Sequence, residues 1–379
     1  NRELPLIRTD SKCIKCLRCV DVCDKVQGMK VWDLLGLGKN TRVGVRGGAK
    51  LTDVNCTYCG QCITHCPVGA LGEREDTRRF LDAVRPEKVI VSISDYWLNL
   101  LFELRRRRIE TYLVSARFEK SMFYFKPAGF LYRKALRTCF TKILVRDAES
   151  LELLEKIGAV NASLMGDPRM DRVMRIAGQE WHDPTIDRWS GGAKVFVAGS
   201  VLPDEDEAVI SDLANSHPED KFLIVPHEIG DREVESIKNK IHGRCEVYTR
   251  LSDGYENAQV LIINTVGLLA KVYRYGFAAY VGSGFDCSPH SVIEPAAYGI
   301  PVSFGPKFGS YRHCQGLIDA GGGHSISDSA GLSEGYDGLK YDPGYLAEAG
   351  KAAREYCEKG SGVATSIAKT ILYGNRIPE

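Results

Sequence analysis

The 379-residue sequence predicts an α/β protein in which a small cysteine-rich domain precedes a doubly wound, parallel α/β body. Eight of the 13 cysteines lie within the first 66 residues, which sets this part of the chain apart. From residue 88 onward, short β-branched runs alternate with amphipathic helical segments, as they do around a parallel sheet. An apolar fraction of 44% and a charged fraction of 26% are typical of a globular protein.

Charge and hydropathy exclude several classes of protein. The 50 Lys+Arg residues nearly cancel the 49 Asp+Glu residues, so the overall basic footprint of a nucleic-acid-binding protein is absent and no nucleic-acid partner is expected. No apolar run approaches the ~20 residues that a membrane-spanning helix needs, and the N-terminus lacks the apolar core of a signal peptide. The sequence therefore predicts a cytoplasmic protein.

The eight early cysteines form two runs of the same spacing, Cys-x2-Cys-x2-Cys-x3-Cys, at 13–23 and 56–66. This spacing is typical of a domain with two [4Fe–4S] clusters, in which the fourth cysteine of each run binds the cluster of the other run. A disulfide framework would need an oxidising compartment, and zinc sites usually use two separated pairs of ligands. The predicted ligand sets are Cys13, Cys16, Cys19 and Cys66 for one cluster, and Cys56, Cys59, Cys62 and Cys23 for the other.

The same region resembles the two-cluster ferredoxin domain of iron-only hydrogenases. The resemblance covers residues 8–78 and is carried by the stretches 11–16, 22–23, 44–48 and 55–62. In those enzymes the domain relays electrons to a separate hydrogen-activating domain, so the resemblance implies an electron donor or acceptor protein as a partner. The five later cysteines are isolated and form no further cluster motif, so hydrogenase activity is not expected.

Strands and helices alternate through the rest of the chain, which predicts a doubly wound sheet. The predicted strands are 88–94, 111–115, 142–146, 161–165, 194–198, 221–225, 259–264, 278–281 and 301–304. The predicted helices are 97–108, 149–157, 204–216, 231–241, 266–276, 291–299, 311–320, 344–358 and 362–373. A segment rich in Asp, Trp and Gly at 182–192 is predicted to be a loop. The predicted domains are 1–78, 79–165 and 166–379.

The strongest candidate ligand-binding segment follows the strand predicted at 278–281. Gly282 and Gly284 would let backbone N–H groups approach an anion, and the helix predicted to start near His290 and Ser291 would present its positive N-terminus to the same anion. Glu294, one turn into that helix, could accept two hydrogen bonds from ribose hydroxyls. The alternative interpretation is a tight strand–helix turn with a solvated Glu.

Three further residues are candidates because of their position. Arg169 could clamp a phosphate, although a surface charge cluster is an equal alternative. Ser200 and His227 each follow a strand, where doubly wound sheets bind ligands, but packed or capping residues also occur there. The run Arg105–Arg108 is typical of a solvated helix C-terminus, and contact with an anionic membrane surface is the alternative.

The body resembles the Kdo transferases, which add 3-deoxy-manno-octulosonic acid (Kdo) from a CMP-activated donor to lipid A precursors. The resemblance covers residues 78–375 and keeps the order and spacing of the family's motifs. These motifs lie at 79–86, 111–116, 166–173, 197–200, 225–227, 263–267, 290–299 and 302–306. The resemblance implies a glycosyltransferase fold of the B type, with a truncated Rossmann-like lobe at 79–165 and a complete Rossmann-like lobe at 166–379.

The resemblance also implies roles for individual residues. The C-terminal lobe would bind CMP-Kdo, with the phosphate at Arg169, Ser200 and the segment His290–Ser291. Glu294 would lie at the ribose. A bacterial protein of lipopolysaccharide biosynthesis is implied, in the cytoplasm and peripheral at the inner membrane.

Several features depart from that family. In Kdo transferases a full N-terminal lobe, with an apolar membrane anchor and a Gly-Glu motif whose Glu is the general base, precedes the stretch that matches 79–86, whereas here the ferredoxin-like domain precedes it. Asp95, in the stretch Ser94–Trp97, stands where the family usually has the longer Glu, and Ser291 replaces an Asn. The truncated sheet is expected to leave an unpaired edge and an uncovered apolar face.

Together these features predict a chimera, a Kdo transferase-like glycosyltransferase fused to an iron–sulfur electron-transfer domain. Sugar transfer is expected to be impaired, because the acceptor lobe and the general base are missing. The alternative is an electron-transfer protein of the hydrogenase ferredoxin type with a passive α/β body. No catalytic metal is implied, since Asp204 and Asp206, which have Asp-x-Asp spacing, are interpreted as the acidic start of a helix. The junction of the two families lies near 73–77.

Overall fold

The computed structural model describes residues 6–56, 59–73, 76–93, 97–126, 129–309 and 311–374. The chain divides into two compact units, Asn1–Asp167 together with Thr365–Glu379, and Pro168–Ala364. The boundary at residue 78 stays a prediction. No helix in the described ranges is both long and apolar enough to cross a membrane.

The first unit begins with a small cysteine-rich part. Its core combines the buried thiols of Cys19, Cys23 and Cys62 with a few apolar side chains, including Trp32 and Val43. A core this small buries little apolar surface. Its elements are β1 (Leu6–Arg8), α1 (Arg18–Asp21), a hairpin of β2 (Trp32–Leu35) and β3 (Arg42–Val45), α2 (Gln61–Thr64), and β4 (Leu71–Glu73), which pairs antiparallel with β1.

The rest of the first unit is a four-stranded parallel sheet with helices. The strand order is β5-β6-β7-β8, and β5 is an edge strand that pairs with β6 alone among the described strands. The expected unpaired edge is therefore confirmed, and Ile90 and Ile93 beside it are about half exposed. The elements are α3 (Asp76–Val84), β5 (Lys88–Ser92), α4 (Leu98–Arg106), β6 (Glu110–Ala116), α5 (Phe130–Thr138), β7 (Lys142–Val145), α6 (Ala148–Lys156) and β8 (Ala162–Leu164).

The second unit is built on a seven-stranded parallel sheet in the order β11-β12-β10-β9-β13-β14-β15. The strands are β9 (Val195–Val201), β10 (Lys221–Pro226), β11 (Cys245–Val247), β12 (Val260–Ile262), β13 (Gly276–Val281), β14 (Val302–Phe304) and β15 (Gly323–Ser325). Their apolar runs are buried on both faces, as a parallel sheet covered by helices requires. The helices are α7 (Arg169–Ala177), α8 (Pro184–Ser190), α9 (Glu205–Ser216), α10 (Asp231–Lys240), α11 (Leu269–Val272), α12 (Ile293–Ala296), α13 (Arg312–Ala320), α14 (Ser329–Tyr341) and α15 (Pro343–Lys359). The last helix, α16 (Val363–Tyr373), begins in this unit, and most of its residues belong to the first unit.

The segment 182–192, predicted to be a loop, contains the helix α8, so this prediction is wrong. Asp183 caps the helix, because its carboxylate accepts hydrogen bonds from two backbone N–H groups of the first turn at 3.0 and 3.2 Å. Trp189 is buried, and Gly191 ends the helix in the left-handed conformation (φ +56°). The Asp-Pro pair at the start of the segment and the Gly-Gly pair at its end are the sequence signals that indicate this helix.

The helix predicted at 291–299 is also shorter than expected. Only Ile293–Ala296 is α-helical, because the N–H groups of Tyr298 and Gly299 bond three residues back, in the tighter 3₁₀ pattern. Gly299, with φ +76°, ends the segment. A single turn has a small macrodipole, so the case for an anion at this helix start weakens and side-chain donors become more important.

Candidate functional site

One cavity of about 330 Å³ in the cysteine-rich part is lined by Cys23, Cys56, Cys59 and Cys62. The thiols of Cys23 and Cys62 are buried, and the other two are partly exposed. The structure thus brings together the four cysteines predicted for one cluster. The rest of the wall is Leu6, Gln27, Met29, Val31, Trp32, Gly60 and Gln61.

A second cavity, of about 370 Å³, is lined by Cys13, Cys16, Cys19 and Cys66. Cys66 comes from the second cysteine run, so the structure also assembles the crossed set that the spacing predicts for the other cluster. Cys19 is buried at the base of the cavity, whereas Cys16 is exposed. The rest of the wall is Arg8, Ile14, Leu17, Val43, Val68, Ala70 and Leu71.

The chemistry of these two cavities fits iron–sulfur clusters. Every cysteine is a free thiol. The fourth cysteine of each run accepts a backbone N–H hydrogen bond, from Val31 to Cys23 Sγ at 3.3 Å and from Ala70 to Cys66 Sγ at 3.1 Å. Such bonds stabilise negative charge on cluster sulfur. No group of three or more His, Cys, Asp or Glu side chains in the described ranges is placed to hold a single metal ion, whereas a cube is larger and its ligands stand apart.

Burial opposes ionisation of the innermost thiols. It raises the pKa of Cys19 to about 11 and that of Cys62 to about 12. Bound iron would supply the positive charge that turns such thiols into thiolates. Gln61 lines the first cavity, and its buried Oε1 atom accepts no hydrogen bond from any residue that the structure describes.

In the second unit, the rings of His227 and His290 stack with centroids 4.5 Å apart and planes 20° apart. His227 follows β10, and its N–H donates to the carbonyl of Val201 at 2.9 Å. His290 lies in the loop after β13, and its N–H donates to the carbonyl of Gly282 at 3.2 Å. The backbone thus fixes both residues at the carboxyl ends of strands that flank β9. Burial, together with the neighbouring His227, lowers the pKa of His290.

Ser200 and the two glycines lie at the same edge of the sheet. Ser200 is buried, with φ +56°. The N–H of Gly282 is used within the sheet, since it donates to the carbonyl of Gly199 at 2.9 Å. A Cβ on Gly282 would lie 2.2 Å from the carbonyl oxygen of Ser200, and one on Gly284 would lie 2.6 Å from the N atom of Gly305. The glycines therefore allow close approach of neighbouring backbones, and binding of an anion by them stays a prediction.

Asp206 is a residue whose importance the sequence analysis missed. Its carboxylate is 2% exposed and accepts hydrogen bonds from the N–H groups of Leu202 (3.0 Å) and Ser283 (2.6 Å) and from the hydroxyl of Tyr280 (2.6 Å). It therefore ties the ends of β9 and β13 together. The apolar stretch that follows it in α9 was the available signal that this acid faces inward.

Glu294 is partly buried on α12. Burial raises the pKa of its carboxyl, and Arg172 and the Ser291 side chain partly oppose this shift. Ser291 also accepts the N–H of Glu294 at 3.2 Å through its carbonyl. Arg172, a cation that the sequence analysis did not single out, lies one turn beyond Arg169 on α7. Met170, which follows Arg169, packs in the same buried apolar cluster as Ile293 and Ala296 of α12, so α7 and α12 are neighbours.

A cavity of about 670 Å³ lies beyond the ends of β9 and β13. Its acidic lining disfavours a phosphate, because like charges repel. Carboxylates can accept hydrogen bonds from hydroxyl groups, so a polar, uncharged part of a ligand suits this cavity. It is lined by Leu202, Pro203, Asp204, Glu205, Asp206, Phe285 and Asp286.

The remaining candidates lie in the first unit. Glu103 accepts hydrogen bonds from Arg106 (2.6 and 2.9 Å) and Arg107 (2.9 Å). Arg105 donates to the hydroxyl of Thr138 at 2.8 Å. Much of the run 105–108 is therefore engaged within the protein. Asp95 and its neighbours at 94–96, and the junction residues 74–75, lie outside the described residues.

Two protein families match parts of the chain. The 4Fe-4S dicluster domain matches residues 12–70, and the 3-deoxy-D-manno-octulosonic-acid transferase domain (kdotransferase) matches residues 54–172. A 3-deoxy-D-manno-octulosonic acid transferase of Aquifex aeolicus is 24% identical over 237 residues, which cover 60% of this chain and 58% of that protein. The NADP-reducing hydrogenase subunit HndD of Solidesulfovibrio fructosivorans is 38% identical over 87 residues, which cover 23% of this chain and 15% of that protein.

Among solved structures, a UDP-N-acetylglucosamine 2-epimerase superposes with a TM-score of 0.58 at 13% identity and covers 86% of this chain and 81% of that one. Such a likeness concerns the fold, and with the parallel sheets it confirms the predicted α/β class. The chain spans less than two thirds of the Aquifex transferase and a small part of the hydrogenase subunit. The chain therefore joins a segment similar to two-cluster ferredoxin domains to a segment similar to Kdo transferases. The two resemblances predicted from the sequence are confirmed.

Proposed function

We propose that the second unit binds a CMP-activated sugar of the Kdo type, as the donor site of a Kdo transferase-like glycosyltransferase. The observation that carries this proposal is the stacked pair His227–His290 at the carboxyl edge of the sheet. The strand order reverses between β9 and β13, and doubly wound sheets bind ligands outside the carboxyl ends of strands at such a switch point. Ser200 lies at the end of β9, beside this point.

The individual residues have complementary roles in this proposal. The imidazole groups of His227 and His290 and the hydroxyl of Ser200 donate hydrogen bonds to the phosphate of the CMP group. The Glu294 carboxylate accepts hydrogen bonds from the two ribose hydroxyls, and Arg169 supplies a further positive charge at the phosphate. Gly282, Gly284 and Ser291 shape the backbone around the ligand.

Transfer of the sugar is expected to be slow. Transfer needs an acceptor hydroxyl and a general base held against the donor. Asp95, which takes the place of a Glu in the family, has a side chain one methylene shorter, and the ferredoxin-like segment occupies the place of most of the acceptor lobe. With the shorter Asp95 at that position, we expect donor binding together with weak transferase activity.

Binding and transfer are tested separately on the full chain. CMP should raise the melting temperature of the wild type and have a smaller effect on H227A, with K351A, a change of an exposed surface cation on α15, as the control. CMP release from CMP-Kdo with a lipid A precursor as acceptor should be slow. Absence of any CMP effect would contradict the donor site, and rapid, acceptor-dependent release would contradict impairment.

For the cysteine-rich part, we propose that the two cavities hold two [4Fe–4S] clusters, which supply one-electron transfer at low potential. The assembly of both crossed cysteine sets around separate cavities supports this. The second candidate function for the whole chain is accordingly electron transfer with a passive body. Purified protein should contain iron and sulfide in equal amounts and a brown colour that dithionite bleaches. Colour and iron without any response to CMP would favour this second function.

Contact with an anionic lipid or membrane surface, which the run Arg105–Arg108 would provide, stays a proposal of lower rank. Arg106 and Arg107 are paired with Glu103, and Arg107 also with Asp82 at 2.6 Å. These pairs reduce the positive charge that the run can offer to lipid headgroups.

A further inference from the structure

The loop between Lys12 and Arg18 carries an exposed apolar surface directly over the second cysteine cavity. Ile14 is 61% exposed and Leu17 is 36% exposed, although both line that cavity. Lys15 (φ +56°) and Leu17 (φ +60°) adopt the left-handed conformation, which is uncommon for residues with side chains. The loop therefore forms a single layer between the Cys13/Cys16/Cys19/Cys66 cavity and solvent.

The same loop is positively charged. Lys12, Lys15 and Arg18 are exposed, and none has an ion-pair partner among the described residues. The nearby acids are engaged elsewhere, Asp10 with Arg8 at 2.7 Å and Asp21 with Lys25 at 2.8 Å. Three cations thus surround an apolar centre, and a partner with an acidic surface would complement their charge.

The second cysteine run also packs against the four-stranded part of the first unit, through His65. The ring of His65, next to Cys66, lies 4.9 Å from the ring of Phe123 in the four-stranded part of the first unit. In contrast, Val68, on the chain beyond Cys66, is 37% exposed and lines the same cavity as Ile14 and Leu17. The accessible approach to the Cys13/Cys16/Cys19/Cys66 cavity is therefore through the loop 12–18 and Val68, which we call the loop face.

We propose that the loop face docks a small acidic one-electron carrier protein, and that electrons enter the chain at the site of Cys13, Cys16, Cys19 and Cys66. This rests on the proposed binding of clusters. One electron leaves the reduced carrier, which is oxidised, and the cysteine-rich part is reduced by one electron, while no bond forms or breaks. A small, charge-steered contact of this kind is typical of weak, transient redox complexes.

An anionic membrane would be a different occupant of the loop face. Recognition of anionic lipid generally uses clusters of about 4–8 Lys or Arg residues, and the loop face has three. Its apolar residues also surround an exposed ligand, Cys16, where electron exchange with a protein partner is most direct. These observations favour the carrier protein.

The test measures reduction of the full chain, with reconstituted clusters, by a reduced plant-type [2Fe–2S] ferredoxin in stopped flow. The second-order rate constant should fall with rising salt, and should fall about tenfold or more in K15E/R18E. The control R42E/K50E reverses two other exposed cations of the same part and should react like the wild type. Iron content and reduction by dithionite must be equal in all three proteins.

The outcomes are distinguishable. Equal rates for K15E/R18E and the wild type, or an equal loss in R42E/K50E, would overturn the loop face as the docking site. Binding of the wild type to phosphatidylserine vesicles that K15E/R18E abolishes, with unchanged ferredoxin rates, would assign the face to a membrane instead and also overturn the proposal. A lack of iron in the wild type would overturn cluster binding itself, and a lack of CMP binding would leave the ferredoxin result unaffected.

Discussion

The ring of His65 lies 4.9 Å from the ring of Phe123, tilted by 56°. His65 stands between Cys62 and Cys66, which line different cavities. Phe123 in turn meets Tyr132 edge-on, with ring centroids 6.0 Å apart, in the aromatic core beside the four-stranded sheet. The segments similar to two unrelated families are therefore packed against each other within the first unit.

This contact predicts that the two segments stabilise each other. F123L should lower the free energy of unfolding by about 0.5–1.5 kcal/mol, the usual worth of an aromatic pair. Urea denaturation followed by circular dichroism measures this change. The control F130L alters a phenylalanine that is 61% exposed, and it should change stability by less than about 0.5 kcal/mol. Equal stability of F123L and the wild type would show that the contact contributes nothing.

The crossed cysteine sets predict which pairs of substitutions act together. C13S/C66S removes two ligands of one proposed cluster, so about half of the eight iron atoms expected for two cubes should remain. C13S/C59S removes one ligand from each and should lower iron content further. Iron and sulfide analysis of the purified proteins measures this. Equal iron contents in the two variants would show that each run binds its own cluster, because each variant would then remove one ligand from each cluster.

The sequence predicts well what regular patterns encode and poorly what long-range contacts decide. The cysteine spacing predicts the sets found around the two cavities, and apolar runs predict strands such as β9 and β10. The short strands Cys245–Val247 and Gly323–Ser325 were missed, because three residues carry no periodicity and their pairing depends on the neighbouring strand. Asp206 was interpreted as a helix-start charge, since nothing local shows that its partners come from Ser283 and Tyr280, more than 70 residues away.

Glu294 predicts a pH dependence of CMP binding. Burial raises the pKa of this carboxyl above its ordinary value of 4.5, so it ionises at a higher pH than an exposed glutamate. If the carboxylate accepts ribose hydroxyls, affinity attributable to Glu294 rises with pH through that raised pKa and then levels. E294Q should bind CMP about 10–100-fold more weakly at pH 7, since hydrogen bonds to charged groups contribute about 1.5–3 kcal/mol.

Isothermal titration of the wild type and E294Q between pH 5 and 8 checks this expectation. E334Q, which alters an acid on the distant helix α14, is the matched control and should bind like the wild type. 2′-Deoxy-CMP should bind more weakly than CMP to the wild type and equally to E294Q. An E294Q protein that still discriminates the two nucleotides would show that another group reads the ribose.

The stacked histidines predict the opposite dependence for the phosphate. The pKa of His290 lies below its ordinary value of 6.5 because of burial and the neighbouring His227, so its ring is neutral at pH 7. Protonation at lower pH adds a positive charge beside the phosphate, and affinity for CMP should rise as the pH falls from 7 to 5.5 more in the wild type than in H290Q. The second ionisation of the phosphate, near pH ~6, is common to both proteins and cancels in the comparison. Identical pH profiles would place the phosphate elsewhere.

Glu103 predicts an acid-sensitive contribution to stability. Hydrogen bonds from Arg106 and Arg107 lower the pKa of its carboxyl to about 2, from an ordinary value of 4.5. A carboxyl with a depressed pKa in the folded state contributes stability that is fully present above the ordinary value and is lost as the pH falls from about 4.5 towards 2. E103Q should therefore be less stable than the wild type by about 1.5–3 kcal/mol at pH 7, and the difference should shrink below pH 4.5. Urea midpoints at pH 3–7 measure it, with E87Q, a change of an exposed acid, as the control. A difference that stays constant down to pH 3 would show that Glu103 stabilises the fold without its charge.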